Sequence, residues 1–283
     1  MPYYIVTDAE GRPFHGNQLN TQHHESFRAV PGELLAVDPR GGGDGISDPR
    51  YYLSATPFAA AMGQLVHGTW PIRLFKVDPL RFAGSRRATE AKVLSEIGVY
   101  RAFGPNGRAV VRFLAALDSL STEHWNRVGL YLLSTALPGQ LGSRVDTTRF
   151  VARQVAWNRL EAAESRAGET RKEQGRLARS CARFATRAAI EAATERPHVP
   201  EAVRKELTDG VIRAASAVNL QDRLSEEVLA ELLAPFDAVM PDSALTRTTR
   251  LRIAAAKTPS APARLGTYAQ PSTQSEPVCP TIW

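Results

Sequence analysis

Along the first 115 residues, short runs of β-forming residues alternate with turn signals, and after Val110 the apolar positions recur at the helical period. Residues 3–7 (YYIVT) predict a strand, followed by a turn at Ala9-Glu10-Gly11. Residues 33–37 (ELLAV) and 51–54 (YYLS) predict two more, separated by a Gly-rich stretch that is loop by composition. Thr56 as an N-cap with Pro57 at the first helical position predicts a short helix over 55–66. Residues 72–77 (IRLFKV) alternate apolar with polar and stop at Asp78-Pro79, the signature of a half-buried strand. Residues 93–103 read as a last strand pair or a strand and bend, broken by Gly104-Pro105-Asn106-Gly107.

In the helical half, Asp146 is placed to cap a long segment with Val151, Val155, Leu160, Leu177, Cys181, Phe184 and Ala188 on one face. Gly168 and Gly175 interrupt it, which leaves one bent helix or two helices open, and Pro197 and Pro200 end it. Residues 201–217 and 225–234 predict two further amphipathic helices. From about Met240 the chain turns to Pro, Ser, Thr, Ala and Arg without periodicity, which predicts disorder. The pattern therefore predicts an α+β domain over 1–115, an all-α domain over 116–240 and a disordered basic tail over 241–283.

Charge narrows the choice of partners. The net charge is +6, but residues 1–115 carry +3, residues 116–240 carry zero and the last 43 carry +3. A nucleic-acid partner held by a folded basic face is not expected from that distribution. Two cysteines cannot build a disulfide framework, and no apolar run is long enough to span a bilayer. The first residues lack a basic segment and an apolar core of signal-peptide type, so a reduced, cytoplasmic protein without membrane contact is expected.

Several familiar chemistries lack their residues. There is no phosphate-loop motif at Gly41 to Gly45, no G-x-S-x-G and no H-E-x-x-H. Asp38, Asp44 and Asp48 lack the spacing and the closing glutamate of a calcium loop. His15, His23 and His24 lack the cysteine partners of a zinc site, so no metal is expected.

What remains is an ordered series. It runs Phe14-His15-Gly16, Pro31-Gly32-Glu33-Leu34-Leu35, Tyr52-Leu53-Ser54-Ala55-Thr56, Ala59-Ala60-Ala61-Met62-Gly63, Leu74 through Pro79, and Tyr100-Arg101. Over roughly residues 14 to 113 this order resembles the small rifamycin-type ADP-ribosyltransferases. The resemblance implies a small split sheet and transfer of ADP-ribose from NAD to an acceptor that the sequence does not name. By the same resemblance, His15 would hydrogen-bond the ribose of NAD, Tyr52 would stack on nicotinamide, and Ser54 would supply the hydroxyl that follows on the same strand. The family's acidic residue follows the acid-proline by a few positions, where this chain reads Leu80-Arg81-Phe82-Ala83-Gly84-Ser85-Arg86-Arg87 without a carboxylate. Glu90 is the candidate to replace it if the loop folds back, with Glu96 a poorer second. His15 is also followed by Gly16-Asn17 where the family has Gly-Thr.

The layout is similar, too, to an uncharacterised domain family of phage and prophage genomes, including Ala91 to Val93 before the last strand. That likeness implies a different class of role, a non-enzymatic interaction or assembly protein working through the helical domain. Arg176, Arg179, Arg183 and Arg187 share one helix face there and would suit an acidic partner or a phosphate backbone. Glu173 before Arg176 and Glu191 after Arg187 instead predict local pairing and a solvated face.

Overall fold

A computed structural model of the chain describes residues 2–15, 22–23, 28–36, 56–57, 70–82, 88–136, 147–194, 201–237 and 239–240. The tail expected beyond Met240, the strand expected over 51–54 and the loop between 37 and 50 lie outside the described residues.

β-Branched and aromatic residues form β1 (Tyr3–Thr7), and two ten-residue strands, β6 (Arg73–Phe82) and β7 (Ala88–Ile97), pair antiparallel beside it. With β4 (Leu34–Ala36) and β5 (Thr56–Pro57) they make a five-stranded sheet in the order β4-β7-β6-β1-β5. A separate two-stranded ribbon joins β2 (Phe14–His15) to β3 (Gln22–His23). Two readings of the sequence are corrected. Thr56 and Pro57 are not the cap and first turn of a helix; they pair with Tyr4 and Tyr3 of β1, and the rest of the helix expected over 55–66 lies outside the described residues. Nor does β6 stop at Asp78-Pro79. β1 leaves off at Val77, so Pro79 sits where β6 is an edge on that side, and a bulge follows it between Pro79 and Arg81. A proline without an N–H is tolerated at such a position.

Alternation gives the sheet two buried faces. Ile5, Phe75, Val77, Ala91 and Val93 pack with Ala29 and Leu35. Val6, Trp70, Ile72 and Leu74 point the other way, into the core that the helices share. Trp70 meets Phe103 at 6.1 Å between ring centroids. Phe103 closes a 3-10 helix (Val99–Phe103) that stands where the sequence suggested a second strand or bend.

Six α-helices follow among the described residues: α1 (Gly107–Asp118), α2 (Thr122–Ala136), α3 (Thr147–Ser165), α4 (Glu169–Thr194), α5 (Glu201–Asn219) and α6 (Glu226–Asp237). The long segment is thus two helices. Their junction is Gly168, whose carbonyl accepts from Arg171 and Lys172 N–H and so starts α4, a start that glycine permits at little cost. Gly175 stays inside α4. Helix α5 packs against every other α-helix, and Leu207, Val211, Ala214, Ala215, Ala217 and Val218 on it are buried. Helix α4 meets it with a face of small residues, Gly175, Ala178, Cys181 and Ala182, which lets two backbones approach closely. Helix α3 departs in part from the expected face: Leu160 is buried on it, but Val151 and Val155 are exposed, and Arg153, Ala156 and Ala163 are buried instead. Arg153 is accommodated because its guanidinium lies 5.0 Å from the Trp157 ring, whose other close cation is Arg213 at 3.7 Å. No helix among the described residues is long and apolar enough to cross a membrane.

Candidate functional site

Of the residues singled out from the sequence, Glu90 is the best described. It lies on β7, where the register sets it opposite Ala36 of β4 and opposite Arg81 of β6. Arg81 is two positions beyond Pro79. The β6–β7 hairpin therefore folds a carboxylate back across from the stretch that lacks one in sequence. Arg81 Nη1 lies 3.2 Å from Glu90 Oε1, with the arginine side chain 74% exposed and the glutamate 28%. An ion pair with so exposed a partner is worth little.

Glu96 sits at the other end of β7 in a different setting. Arg73 grips both of its oxygens, Nε to Oε1 at 3.0 Å and Nη2 to Oε2 at 2.7 Å. That fork holds the carboxyl below its ordinary value. Glu96 is thus committed to a structural pair, and Glu90 is not.

His15 is on β2, with Gln22 as its strand partner. Tyr52 and Ser54 lie outside the described residues. Tyr100 and Arg101 fall in the 3-10 helix, with the Arg108 guanidinium 4.8 Å from the Tyr100 ring. Hydrogen bonds from Arg108 and Arg101 hold the phenol below its ordinary value. Among the described residues no group of three or more His, Cys, Asp or Glu is arranged to hold a metal ion.

The arginine stripe of α4 divides in two. Arg187 pairs with Glu191 at 3.0 Å, one turn along, as the spacing predicts. Arg179 turns inward to Glu164 of α3 and Ser216 of α5. Arg176 has no ion-pair partner among the described residues. It borders a cavity of about 340 Å³ between the end of α3, the start of α4 and the end of α5, together with Arg171, Lys172 and Arg179. Arg171 was not legible in the sequence as part of this group. It is 8% exposed, its Nη2 donates to Asp222 Oδ1 at 2.6 Å and to the Asn219 carbonyl, and its Nε and Nη1 have no hydrogen-bond partner among the described residues. Asn219 ties the same corner to the sheet side, donating from Nδ2 to the Phe103 carbonyl at 2.9 Å. The residues come from three helices, so no single spacing would have collected them; the i, i+5 and i, i+8 offsets of Arg176 and Arg179 from Arg171 were the one local trace.

Neither a family model, nor a curated protein, nor a solved structure matches this chain.

Proposed function

We propose that the protein is an ADP-ribosyltransferase-like enzyme that moves ADP-ribose from NAD to an acceptor, with Glu90 as its catalytic carboxylate. The observation that supports this reading most is the hairpin register, which sets Glu90 across from Arg81, just past the acid-proline. In such a reaction the C1–nicotinamide bond breaks, nicotinamide leaves, and the acceptor's nucleophile bonds C1 and gives up its proton. Positive charge builds on the ribose in between. A half-buried carboxylate whose one ion-pair partner among the described residues is an exposed arginine can exchange that arginine for the developing cation, and such electrostatic stabilisation is a large contribution to rate. His15, Tyr52 and Ser54 would hold the dinucleotide, a positioning role.

Calorimetric titration with NAD and a labelled-NAD transfer assay test the proposal together. Wild-type protein should bind NAD and transfer label; Glu90→Gln should bind and not transfer. Absence of heat at millimolar NAD would overturn the reading. The second reading, a non-enzymatic interaction protein, draws support from the exposed apolar side chains Leu130 on α2 and Val151 and Val155 on α3, and absence of NAD binding would favour it.

A further inference from the structure

We propose that the cavity between α3, α4 and α5 is a binding site for the phosphoryl group of a small molecule. The proposal does not depend on the transferase reading. Four cations border the cavity: Arg171, Lys172, Arg176 and Arg179. Two are compensated, Arg179 by Glu164 and Arg171 by Asp222. Lys172 and Arg176 have no ion-pair partner among the described residues, and both are exposed at the rim, where a ligand can reach them.

Beneath them, Arg171 is buried in the cavity wall, its Nη2 held by Asp222 and the Asn219 carbonyl and its Nη1 turned toward Gly104, so the charge open to a ligand is that of Lys172 and Arg176. The first turns of α4 add the positive end of a 26-residue helix in the same place. Gly175 keeps the wall open: a Cβ there would stand 3.7 Å from both Arg179 Nη1 and Asn219 Oδ1. That is ordinary contact distance, so a methyl group at 175 would enter the cavity without disturbing the helix.

The size and the charge balance favour a small ligand over a polymer. A volume of about 340 Å³ lies in the range of small-molecule pockets. Residues 116–240 carry no net charge, whereas a polyphosphate backbone requires an extended basic face. Guanidinium and ammonium groups converging on one concavity, with carboxylates already engaged, suit a doubly charged phosphoryl group.

The test is calorimetry on the full chain with inorganic pyrophosphate, ADP and a single-stranded oligonucleotide, at low salt. Pyrophosphate and ADP should each bind with one-to-one stoichiometry. Lys172→Ala with Arg176→Ala should weaken both by about 10- to 100-fold, the scale of losing charge-assisted hydrogen bonds. Gly175→Ala should weaken them by narrowing the space, with the thermal midpoint retained. Arg183→Ala with Arg187→Ala, on the same helix but outside the cavity, should change nothing. His15→Ala with Tyr52→Ala, the pair that would hold the dinucleotide in the transferase reading, should leave pyrophosphate binding intact, which separates this site from the transferase proposal. No heat from either phosphate compound at millimolar concentration would overturn the proposal. So would equal binding by the Lys172/Arg176 variant, or oligonucleotide binding that the Lys172/Arg176 and Arg183/Arg187 variants weaken alike, since that would mark a polymer-docking face.

Discussion

Arg81 stands directly across the β6–β7 hairpin from Glu90, and its Nη1 reaches Glu90 Oε1 at 3.2 Å. The relationship exists because β6 continues through Pro79 after β1 has ended, carrying Arg81 into register with a residue nine positions later.

Removing the arginine should therefore release the carboxylate without harming the fold. Arg81→Ala is expected to change stability by less than about 1 kcal/mol, since the pair is largely exposed on one side. In the transfer assay it should retain activity, whereas Glu90→Gln should lose about 100-fold or more in rate with NAD affinity kept. Equal losses from the two variants would show that the pair, not the carboxylate, is what matters.

The Arg73–Glu96 fork should appear in the pH dependence of stability. Its carboxyl is held below the ordinary 4.5, first by the hydrogen bonds from Arg73. A lowered folded value means the unfolded chain takes up a proton first as pH falls. The stabilisation is present above about pH 4.5 and is lost as pH drops through the folded value. Both side chains are over a third exposed, so Glu96→Gln should cost about 1 kcal/mol or less at neutral pH. Denaturant melts of the two proteins should differ above pH 4.5 and converge as pH falls below it.

Asp222→Ala should destabilise more, because it strips a partner from a buried cation. Asp222 accepts from Arg171 and also from Asn106 Nδ2. Leaving Arg171 less compensated is expected to cost about 1–3 kcal/mol, moderated by the exposure of Asp222. Arg171→Met should relieve much of that cost in the Asp222→Ala background, and a thermal-melt double-mutant cycle measures the coupling.

Gly107 and Gly168 make a matched comparison. A Cβ at Gly107 would overlap the Tyr100 carbonyl, a backbone atom that cannot step aside, whereas a Cβ at Gly168 meets nothing within 4 Å. Gly107→Ala should cost roughly 2–4 kcal/mol by forcing the 3-10 helix away from α1. Gly168→Ala should stay within about 0.5 kcal/mol. Chemical denaturation of both variants decides the matter.

Cys181 should be chemically silent in the folded protein. Burial in the α4 face pushes its thiol well above the ordinary value and removes it from solvent, so almost no thiolate is present to react. Iodoacetamide labelling followed by peptide mapping should show no modification at Cys181 until denaturant is added.

Much of the fold was legible because it rests on local chemistry. The β-rich run at Tyr3–Thr7, the alternation leading into β6, the break near Gly168 and the Arg187–Glu191 pair all follow from residues within a turn or a strand of one another. Helices α5 and α6 likewise cover the amphipathic stretches that predicted them. What failed were positions whose neighbours come from far along the chain. Thr56 and Pro57 satisfy every local rule for a helix start, yet the open edge of β1 takes them as a strand. Val151 and Val155 have the right period for a core face, but α3 docks through Arg153, Ala156, Leu160 and Ala163, and the valines were left outside. The same limit applies to function. Sequence alone named Glu90 as a residue that would matter if a loop folded back, and supplied the stripe of arginines on α4. Only the β6–β7 register brought Glu90 opposite Arg81, and only the packing of α3 and α5 against α4 divided the stripe into solvated pairs and a cavity wall. Hydrophobic period and turn chemistry act over a few residues, whereas which charges converge is decided by how the elements dock.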